Sequence, residues 1–155
     1  MGIISVSGGH GALASDVCTA RGLTLPRLSE ETRQQIRDNL SPSVRTIASL
    51  ENPIDLTGSA VDEDFVAAAN GLCSSPEVDA VILLLLPYSP GISMDLGARL
   101  SYVLRREGKP LVAYVPHQEK YRMLIEGFEL NQVPVSSSID GAVLMVESMR
   151  RCRPC

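Results

Sequence analysis

The feature that most constrains the fold is a nearly unbroken apolar run at 78–86, V-D-A-V-I-L-L-L-L. A strand covered on one face alternates apolar and polar residues, so a continuous run of this length is typical of a strand buried on both faces. Further apolar runs at 2–6 and 110–115 are separated from it by helix-like segments. Strands that alternate with helices predict a parallel sheet with helices on both sides.

The remaining segments complete a three-layer, flavodoxin-like α/β fold with a mostly parallel sheet. We predict an extended edge segment at 23–28, a strand end at 52–56 and a last short strand at 133–135. We predict helices at 12–21, from Ser29 to about 40, from Asp62 or Asp64 to 74, from Ser93 or Asp95 to 107, at 118–127, and from Ser138 to about 149. Residues 1–150 are expected to form one domain and 151–155 a disordered tail.

The bulk composition excludes several classes of function. The chain has 155 residues, 45% hydrophobic and 21% charged, which suits one globular domain rather than a disordered one. Its net charge is -4 and it has no basic stripe, which argues against nucleic acid and anionic membrane surfaces as partners. No segment reaches the ~20 apolar residues of a membrane span, and no signal peptide is recognisable, so a cytoplasmic location is expected.

The four cysteines fit that location. Cys18 and Cys73 lie on apolar helix faces and are predicted to be core residues. Cys152 and Cys155 form a lone C-x-x-C in the predicted tail, and a zinc site needs four ligands.

Candidate ligand-binding residues follow the predicted strands, because open parallel sheets bind ligands at the carboxyl ends of their strands. The first group is the glycine-rich segment Ser7, Gly8, Gly9, His10 and Gly11, directly before a helix. Free N–H groups at a helix N-terminus favour a phosphate, although the same pattern also suits a plain strand-to-helix turn. His10 is either a phosphate carrier or a structural, solvated side chain.

Two further groups are expected at the same edge. Ser89, Gly91 and Ser93 precede another helix, at whose start Asp95 is predicted to act as a cap. Asn52, Asp55 and Gly58 form a polar cluster. Asp55 is able to accept loop N–H groups, to act as an acid or to help hold magnesium, and one carboxylate is too few for a dedicated metal site. A structural role for Asp55 is therefore favoured.

Four motifs in a fixed order carry a resemblance to a known family. They are I-I-S-V-S-G-G-H-G-A-L-A-S-D-V-C at 3–18, L-S-E-E-T at 28–32, N-P-I-D-L-T-G at 52–58 and V-D-A-V-I-L at 78–83. The chain resembles the acetate–CoA ligase (ADP-forming) type of acyl-CoA synthetase, a relative of succinyl-CoA synthetase. The resemblance covers about residues 2–150 and is to the flavodoxin-like CoA-ligase domain.

The resemblance implies an enzyme that makes acyl-CoA from acid, CoA and ATP through an acyl phosphate and a phosphohistidine. Ser7, Gly8, Gly9 and Gly11 match the glycine loop of the family, whereas His10 stands where proline is usual. Asn52, Asp55 and Gly58 match the N-P-x-D-x-T-G signature. The segment 88–95, with Gly91, falls where succinyl-CoA synthetase has a loop and helix aimed at the phosphohistidine.

The chain departs from the full enzyme in ways that define its expected partners. It lacks an S-H-T-G segment for the phosphohistidine, a dinucleotide-like CoA-binding domain and an ATP-grasp domain. The abrupt start at Met1 fits a domain cut from a longer polypeptide. We therefore expect it to be inactive alone and to bind no cofactor by itself. CoA, ATP and magnesium serve the full enzyme, and the missing domains or subunits are its partners.

One alternative is a flavodoxin-like binding or scaffolding module without catalysis, and self-association into a homo-oligomer is expected under either reading. A flavin-binding version is disfavoured, because no Trp is available to stack on the ring. The sequence leaves open the acid substrate, the choice of ADP or GDP, and whether the domains are fused.

Overall fold

The computed structural model describes residues 1–86, 90–116 and 119–151. In these ranges each strand is separated from the next by at least one helix. The strands are β1 (Gly2–Ser5), β2 (Ile54–Asp55), β3 (Val81–Leu84), β4 (Leu111–Tyr114) and β5 (Val135–Ser136). The helices are α1 (Gly8–Ala20), α2 (Glu30–Asn39), α3 (Pro42–Arg45), α4 (Asp62–Ser74), α5 (Leu96–Glu107), α6 (Arg122–Leu130) and α7 (Ile139–Arg151).

The five strands form one parallel sheet in the order β2-β1-β3-β4-β5. This is the doubly wound, flavodoxin-like order, which confirms the predicted fold class. The pairing aligns Asp55, Ser5, Leu84, Tyr114 and Ser136 in one row across the sheet. The row marks the carboxyl ends of all five strands, which is the edge where the candidate residues were expected.

The core has two layers, one on each face of the sheet, and β3 contributes to both. Val81 and Leu83 pack among residues of α2, α4, α5 and α6, whereas Ile82 and Leu84 pack among residues of α1 and α7. All four side chains are at most 1% exposed. Replacing a large buried side chain of this kind with alanine lowers the free energy of unfolding by about 2–5 kcal/mol. This cost explains why the run is apolar throughout.

The predicted extended edge segment at 23–28 is wrong as a strand. Its backbone is irregular, although Leu23 and Leu28 are buried. The edge of the sheet beside β1 belongs to β2 and, next to it, to the side chain of Asn52. Asn52 Nδ2 donates to the carbonyl oxygen of Pro26, so this segment is attached to the sheet through a side chain rather than a ladder.

Several predicted helix boundaries are confirmed and others shift. Ser29 caps α2 by accepting a hydrogen bond from the N–H of Thr32, and Ser138 accepts from the N–H of Gly141 at the start of α7. The helix expected over 118–127 is displaced to Arg122–Leu130, and the final helix reaches Arg151. Residues 152–155, including both tail cysteines, lie outside the described residues, and the tail stays a prediction.

Candidate functional site

The glycine-rich segment after β1 is the first turn of a helix rather than a loop. We expected a loop at 7–11, but α1 begins at Gly8 with Ser7 as its extended N-cap. No glycine in this segment has a positive φ. Gly8 and Gly11 instead lie close to the residues around β2. A Cβ on Gly11 would lie 3.2 Å from Pro53 Cβ, and a Cβ on Gly8 would lie 3.3 Å from Asp55 Oδ2.

This helix start leaves backbone donors exposed at the carboxyl edge. Gly8 and Gly9 are exposed, and the first N–H of α1 to reach a helical acceptor is that of Gly11, which donates to Ser7 O at 3.1 Å. Among the described residues the N–H groups of Gly8, Gly9 and His10 have no acceptor. The first turn of α1 also contains no acidic residue. Its dipole and free donors therefore favour an anion.

Two serines hold this turn in place. Ser5 Oγ donates to Ser7 O at 2.8 Å and accepts from Ser7 N at 3.0 Å. Ser7 Oγ makes no capping bond and lies 3.3 Å from His10 Nδ1. The His10 ring is tilted over Tyr114, with ring centroids 6.1 Å apart. His10 therefore sits at the edge between the carboxyl ends of β1 and β4, oriented by Ser7 on one side and Tyr114 on the other.

Asp55 lies beside the same turn at the end of β2. Its Oδ1 accepts a hydrogen bond from Thr57 N at 2.9 Å, and Thr57 adopts a left-handed conformation with φ 67°. Its Oδ2 faces Gly8. Gly58 follows in an exposed position with open space around it. The structure thus brings Asp55 next to the glycine turn, and it supports the structural role of Asp55 in shaping the loop after β2.

Asn52 has bonding partners inside the protein. Its Oδ1 accepts from Ile3 N at 3.1 Å, and its Nδ2 donates to Met1 O at 2.8 Å and to Pro26 O at 3.1 Å. The side chain extends the pairing of β2 with β1 by one position. These contacts give Asn52 a structural explanation that the N-P-x-D motif did not reveal.

The second group of expected residues is attached to α4. Ser89 lies outside the described residues. Ser93 N and Oγ both donate to the carboxylate of Asp62, and Gly91 O accepts from Asp62 N at 3.2 Å. Asp95 is the N-cap residue of α5, as predicted, but its side chain makes no capping bond; its N–H donates to Ser93 Oγ at 3.1 Å. The sequence marked Asp62 only as a helix start, and nothing in it signalled the bond to Ser93.

The described residues contain no group of three or more His, Cys, Asp or Glu side chains placed to hold a metal ion. Among these residues, Asp55 therefore has none of the further ligands that a dedicated magnesium site requires.

Within the described ranges, no helix is long and apolar enough to cross a membrane.

A groove elsewhere on the surface lies between α2, α4 and α5. It has a volume of about 370 Å³, and Arg99 and Arg106 line it. Arg99 is paired with Glu63 at 2.8 Å, and Arg106 with Glu107 at 2.7 Å and Asn70 at 2.9 Å. Because both guanidinium groups are already paired, the carboxyl edge remains the better candidate.

The fold and its edge define a class of protein. It is a doubly wound α/β domain with a helix N-terminus at the carboxyl ends of its strands, and this helix has no side-chain capping bond and no acidic residue in its first turn. The chain belongs to the Ligase-CoA domain family, whose model matches residues 1–117. The match includes β1 to β4 and every candidate residue named above.

Two curated relatives are acetate–CoA ligases. The chain is 36% identical over 133 residues to the α subunit of ADP-forming acetate–CoA ligase II of Pyrococcus furiosus, covering 80% of this chain and 28% of the relative. It is 30% identical over 87 residues to ADP-forming acetate–CoA ligase I of Archaeoglobus fulgidus, covering 56% of this chain and 12% of the relative. The chain thus spans less than a third of the length of either relative.

Solved structures show the same fold. A crystal structure of a Pyrococcus horikoshii protein matches 97% of this chain and 35% of its own, with a TM-score of 0.80 and 26% identity. The apo form of acetyl-coenzyme A synthetase 1 of Candidatus Korarchaeum cryptofilum matches 99% of this chain and 35% of its own, with a TM-score of 0.74 and 18% identity. In both cases this fold is about a third of a longer chain.

Proposed function

We propose that this chain is a domain of an ADP-forming acyl-CoA synthetase in the cytoplasm, where it acts together with other domains or subunits. The overall reaction joins an acid to CoA and converts ATP to ADP and phosphate. Support comes from membership of the Ligase-CoA domain family and from the ADP-forming ligases among its relatives. The relatives' greater length supports the need for further domains that bind CoA and ATP and carry the phosphohistidine.

The observation that carries the proposal is the first turn of α1. Gly8, Gly9 and His10 present N–H groups without acceptors, and the first turn itself contains no acidic residue, although the carboxylate of Asp55 lies beside Gly8. In the proposed reaction a phosphoryl group passes from ATP to the acid and leaves as phosphate when CoA attacks the acyl carbon. Backbone donors fixed in place before the reaction stabilise the charge on such a group without reorganisation.

Ser7 and Gly11 complete this proposed phosphate-facing turn, with Asp55 and Gly58 beside it. Gly91 and Ser93, together with Ser89, form the second proposed segment at the edge. In this proposal the chain supplies a phosphate-facing surface, and the histidine that becomes phosphorylated belongs to another domain or subunit. His10 is proposed to orient toward the phosphoryl group through its bond to Ser7. Magnesium is assigned to the bound ATP on another domain, because the described residues offer no cluster of ligands for it.

The test replaces the matching segment of the Pyrococcus furiosus α subunit with this chain and assembles the hybrid with its partner subunit. We expect acetyl-CoA formation from acetate, CoA and ATP, assayed below the unfolding temperature of the hybrid. The control is the same α subunit with the segment deleted. A hybrid that folds and assembles, as judged by size-exclusion chromatography, yet forms no acetyl-CoA would contradict the proposal.

The isolated chain provides a second test. With acetate, CoA, ATP and magnesium, we expect it to form no acetyl-CoA, because it lacks an S-H-T-G segment and ATP-grasp and CoA-binding domains. Clear acetyl-CoA formation by the purified chain would show that the shared-domain proposal is wrong.

A further inference from the structure

The carboxylate of Asp62 is buried at the N-terminus of α4, where it makes contacts that the sequence did not indicate. Asp62 is 5% exposed. Its Oδ1 accepts from Ser93 N at 3.0 Å, and its Oδ2 accepts from Ser93 Oγ at 2.5 Å. Its own N–H donates to Gly91 O at 3.2 Å. One residue of α4 therefore makes three hydrogen bonds to the segment that follows β3.

The seating of Gly91 shows how closely this segment lies on the chain before α4. A Cβ at Gly91 would lie 2.7 Å from Ala60 O, 2.7 Å from Val61 Cγ1 and 3.0 Å from Val61 Cα. These distances are shorter than ordinary van der Waals contact, and two of the three atoms belong to the backbone. Only glycine lets the two segments approach to this separation.

The chain that leads from β2 to Asp62 begins near the first half of the candidate site. Asp55 and Thr57 lie at its start, and Asp55 Oδ2 faces Gly8 in the first turn of α1. Asp62 lies only a few residues further along the chain. Its bonds to Ser93 thus connect the part of the edge at β1 and β2 with the part that follows β3.

The charge of Asp62 is balanced by a partner on α5. Arg99 Nη1 lies 3.8 Å from Asp62 Oδ2 and 2.8 Å from the exposed carboxylate of Glu63. A buried carboxylate that loses its partners costs several kcal/mol, so a position occupied by one is strongly constrained. The neighbouring Asp64 is also buried and accepts from Ser41 N at 2.7 Å and Ser41 Oγ at 3.0 Å. Its Oδ2 accepts from Val61 N at 3.0 Å as well, so Asp64 also holds the start of α4.

We propose that Asp62 is a positioning residue that fixes Gly91 and Ser93 relative to the α1 turn, so that both halves of the carboxyl edge face one phosphoryl group. The inference rests on the proposed function, in which this edge faces that group. Asp62 touches no substrate in this account. It acts through Ser93 and Gly91, and its removal leaves the α1 turn unchanged while the second half of the edge moves.

The first arm of the test uses the chain itself and does not depend on catalysis. Amide hydrogen exchange at Ser93 N is compared in the wild type, Asp62→Ala, Asp62→Asn and Cys73→Ala, which removes a buried side chain at the other end of α4. We expect Asp62→Ala to accelerate exchange at Ser93 by at least tenfold, Asp62→Asn to retain part of the protection, and Cys73→Ala to leave it unchanged. Equal protection of Ser93 in the wild type and Asp62→Ala would overturn the inference whatever the chain catalyses.

The second arm measures kcat and KM in the hybrid synthetase. A misplacement of about 1 Å costs on the order of 100-fold in rate, so Asp62→Ala is expected to lower kcat by ten- to a hundredfold with little change in KM for acetate. Asp62→Asn should recover much of kcat, and Cys73→Ala, which removes a buried side chain far from Ser93 in α4, should not lower it.

The two arms separate the two ideas. An inactive wild-type hybrid contradicts the proposed function, and the exchange arm then still decides whether Asp62 holds Ser93. An active hybrid in which Asp62→Ala loosens Ser93 but leaves kcat unchanged overturns the positioning role alone. A loss of kcat equal in Asp62→Ala and Cys73→Ala would show that Asp62 acts only through general stability, and this also overturns the positioning role.

Discussion

At the scale of single residues, the contacts of Asn52 are the clearest example of a motif residue with a structural use. Its amide joins the start of the chain, at Met1 and Ile3, to Pro26, and all of these partners are at least 26 residues away from Asn52 in the sequence. It thereby attaches the irregular segment at 23–28 to the sheet and holds the start of the segment that leads to β2. Asn52, a polar residue of the family signature, therefore stabilises the start of β1 and does not itself face the carboxyl edge of the sheet.

We expect Asn52→Ala to lower the free energy of unfolding by about 2–4 kcal/mol. Each lost hydrogen bond contributes roughly 1 kcal/mol, and the Ile3 N–H would be left without its acceptor. Asn39→Ala is the matched control, since Asn39 is exposed and donates only to Gln35 O, and it should cost under about 1 kcal/mol. Urea unfolding measures both. Equal losses of unfolding free energy in the two variants would contradict the bridging role of Asn52.

Cys73 gives a prediction for the alkaline range. Burial raises the pKa of its thiol from 9.0 to about 11. The folded chain therefore keeps this proton to a higher pH than the unfolded chain does. The stabilisation is complete below pH 9 and is lost as the pH rises through about 11, with a total of about 2–3 kcal/mol.

Urea unfolding at a series of pH values from 8 to 11 should show this loss in the wild type and a shallower slope in Cys73→Ala. The constant cost of the smaller side chain cancels in the comparison of slopes. Parallel curves for the two proteins would refute the assignment to Cys73.

At this scale the sequence predicted which cysteines are buried, but it did not predict which distant residues contact each other. Cys18 and Cys73 are buried, as their apolar helix faces predicted. The contacts of Asn52 and the bond from Ser93 to Asp62 join positions far apart in the chain, and local spacing carries no information about them. The bond from Asp95 N to Ser93 Oγ has the same origin, because the distant carboxylate of Asp62 holds Ser93 in place.

At the scale of elements, the pairing of α5 with α6 depends on two glycines. A Cβ on Gly97 would lie 2.6 Å from Gly127 C and O and 2.7 Å from Phe128 N. All three atoms are backbone, so they cannot move aside as a flexible side chain does. The helices can lie this close only while Gly97 has no side chain.

Gly97→Ala is therefore expected to destabilise the chain by about 1–3 kcal/mol or more, despite the better helix propensity of alanine. Gly9→Ala is the control, because the nearest atom to its added Cβ is Ser7 Oγ at 3.9 Å and it lies in the first turn of a helix. Its effect should be between zero and about 1 kcal/mol of stabilisation. Thermal and urea unfolding measure the difference, and a neutral Gly97→Ala would show that the helices separate freely.

Most elements were predictable from periodicity, and their ends less so. The apolar runs located β1, β3 and β4, and Ser29 and Ser138 marked the starts of α2 and α7 because serine caps act locally. The start of α1 was misplaced because a glycine run usually signals a turn. Here the close approach of Pro53 and Asp55, which only the folded chain shows, accounts for the glycines.

At the scale of the whole molecule, the parallel sheet brings the α1 turn and Asp55 to one edge. The row through Asp55, Ser5, Leu84, Tyr114 and Ser136 follows from the strand order, and the α/β alternation predicted that the strands are parallel. The joining of Gly91 to α4 could not be predicted in this way, because it depends on tertiary contacts. Self-association of the chain and its division into a domain at 1–150 and a tail remain predictions.

The central claim is that the first turn of α1 receives a phosphoryl group, and the most direct measurement is an NMR titration of the chain with inorganic phosphate. We predict saturable shifts of the backbone amides of Gly8, Gly9 and His10. Gly9→Asp, which places a carboxylate in this turn as α4 has in its own, should abolish them. Unchanged amides at these three residues, or equal shifts in Gly9→Asp, would contradict the account.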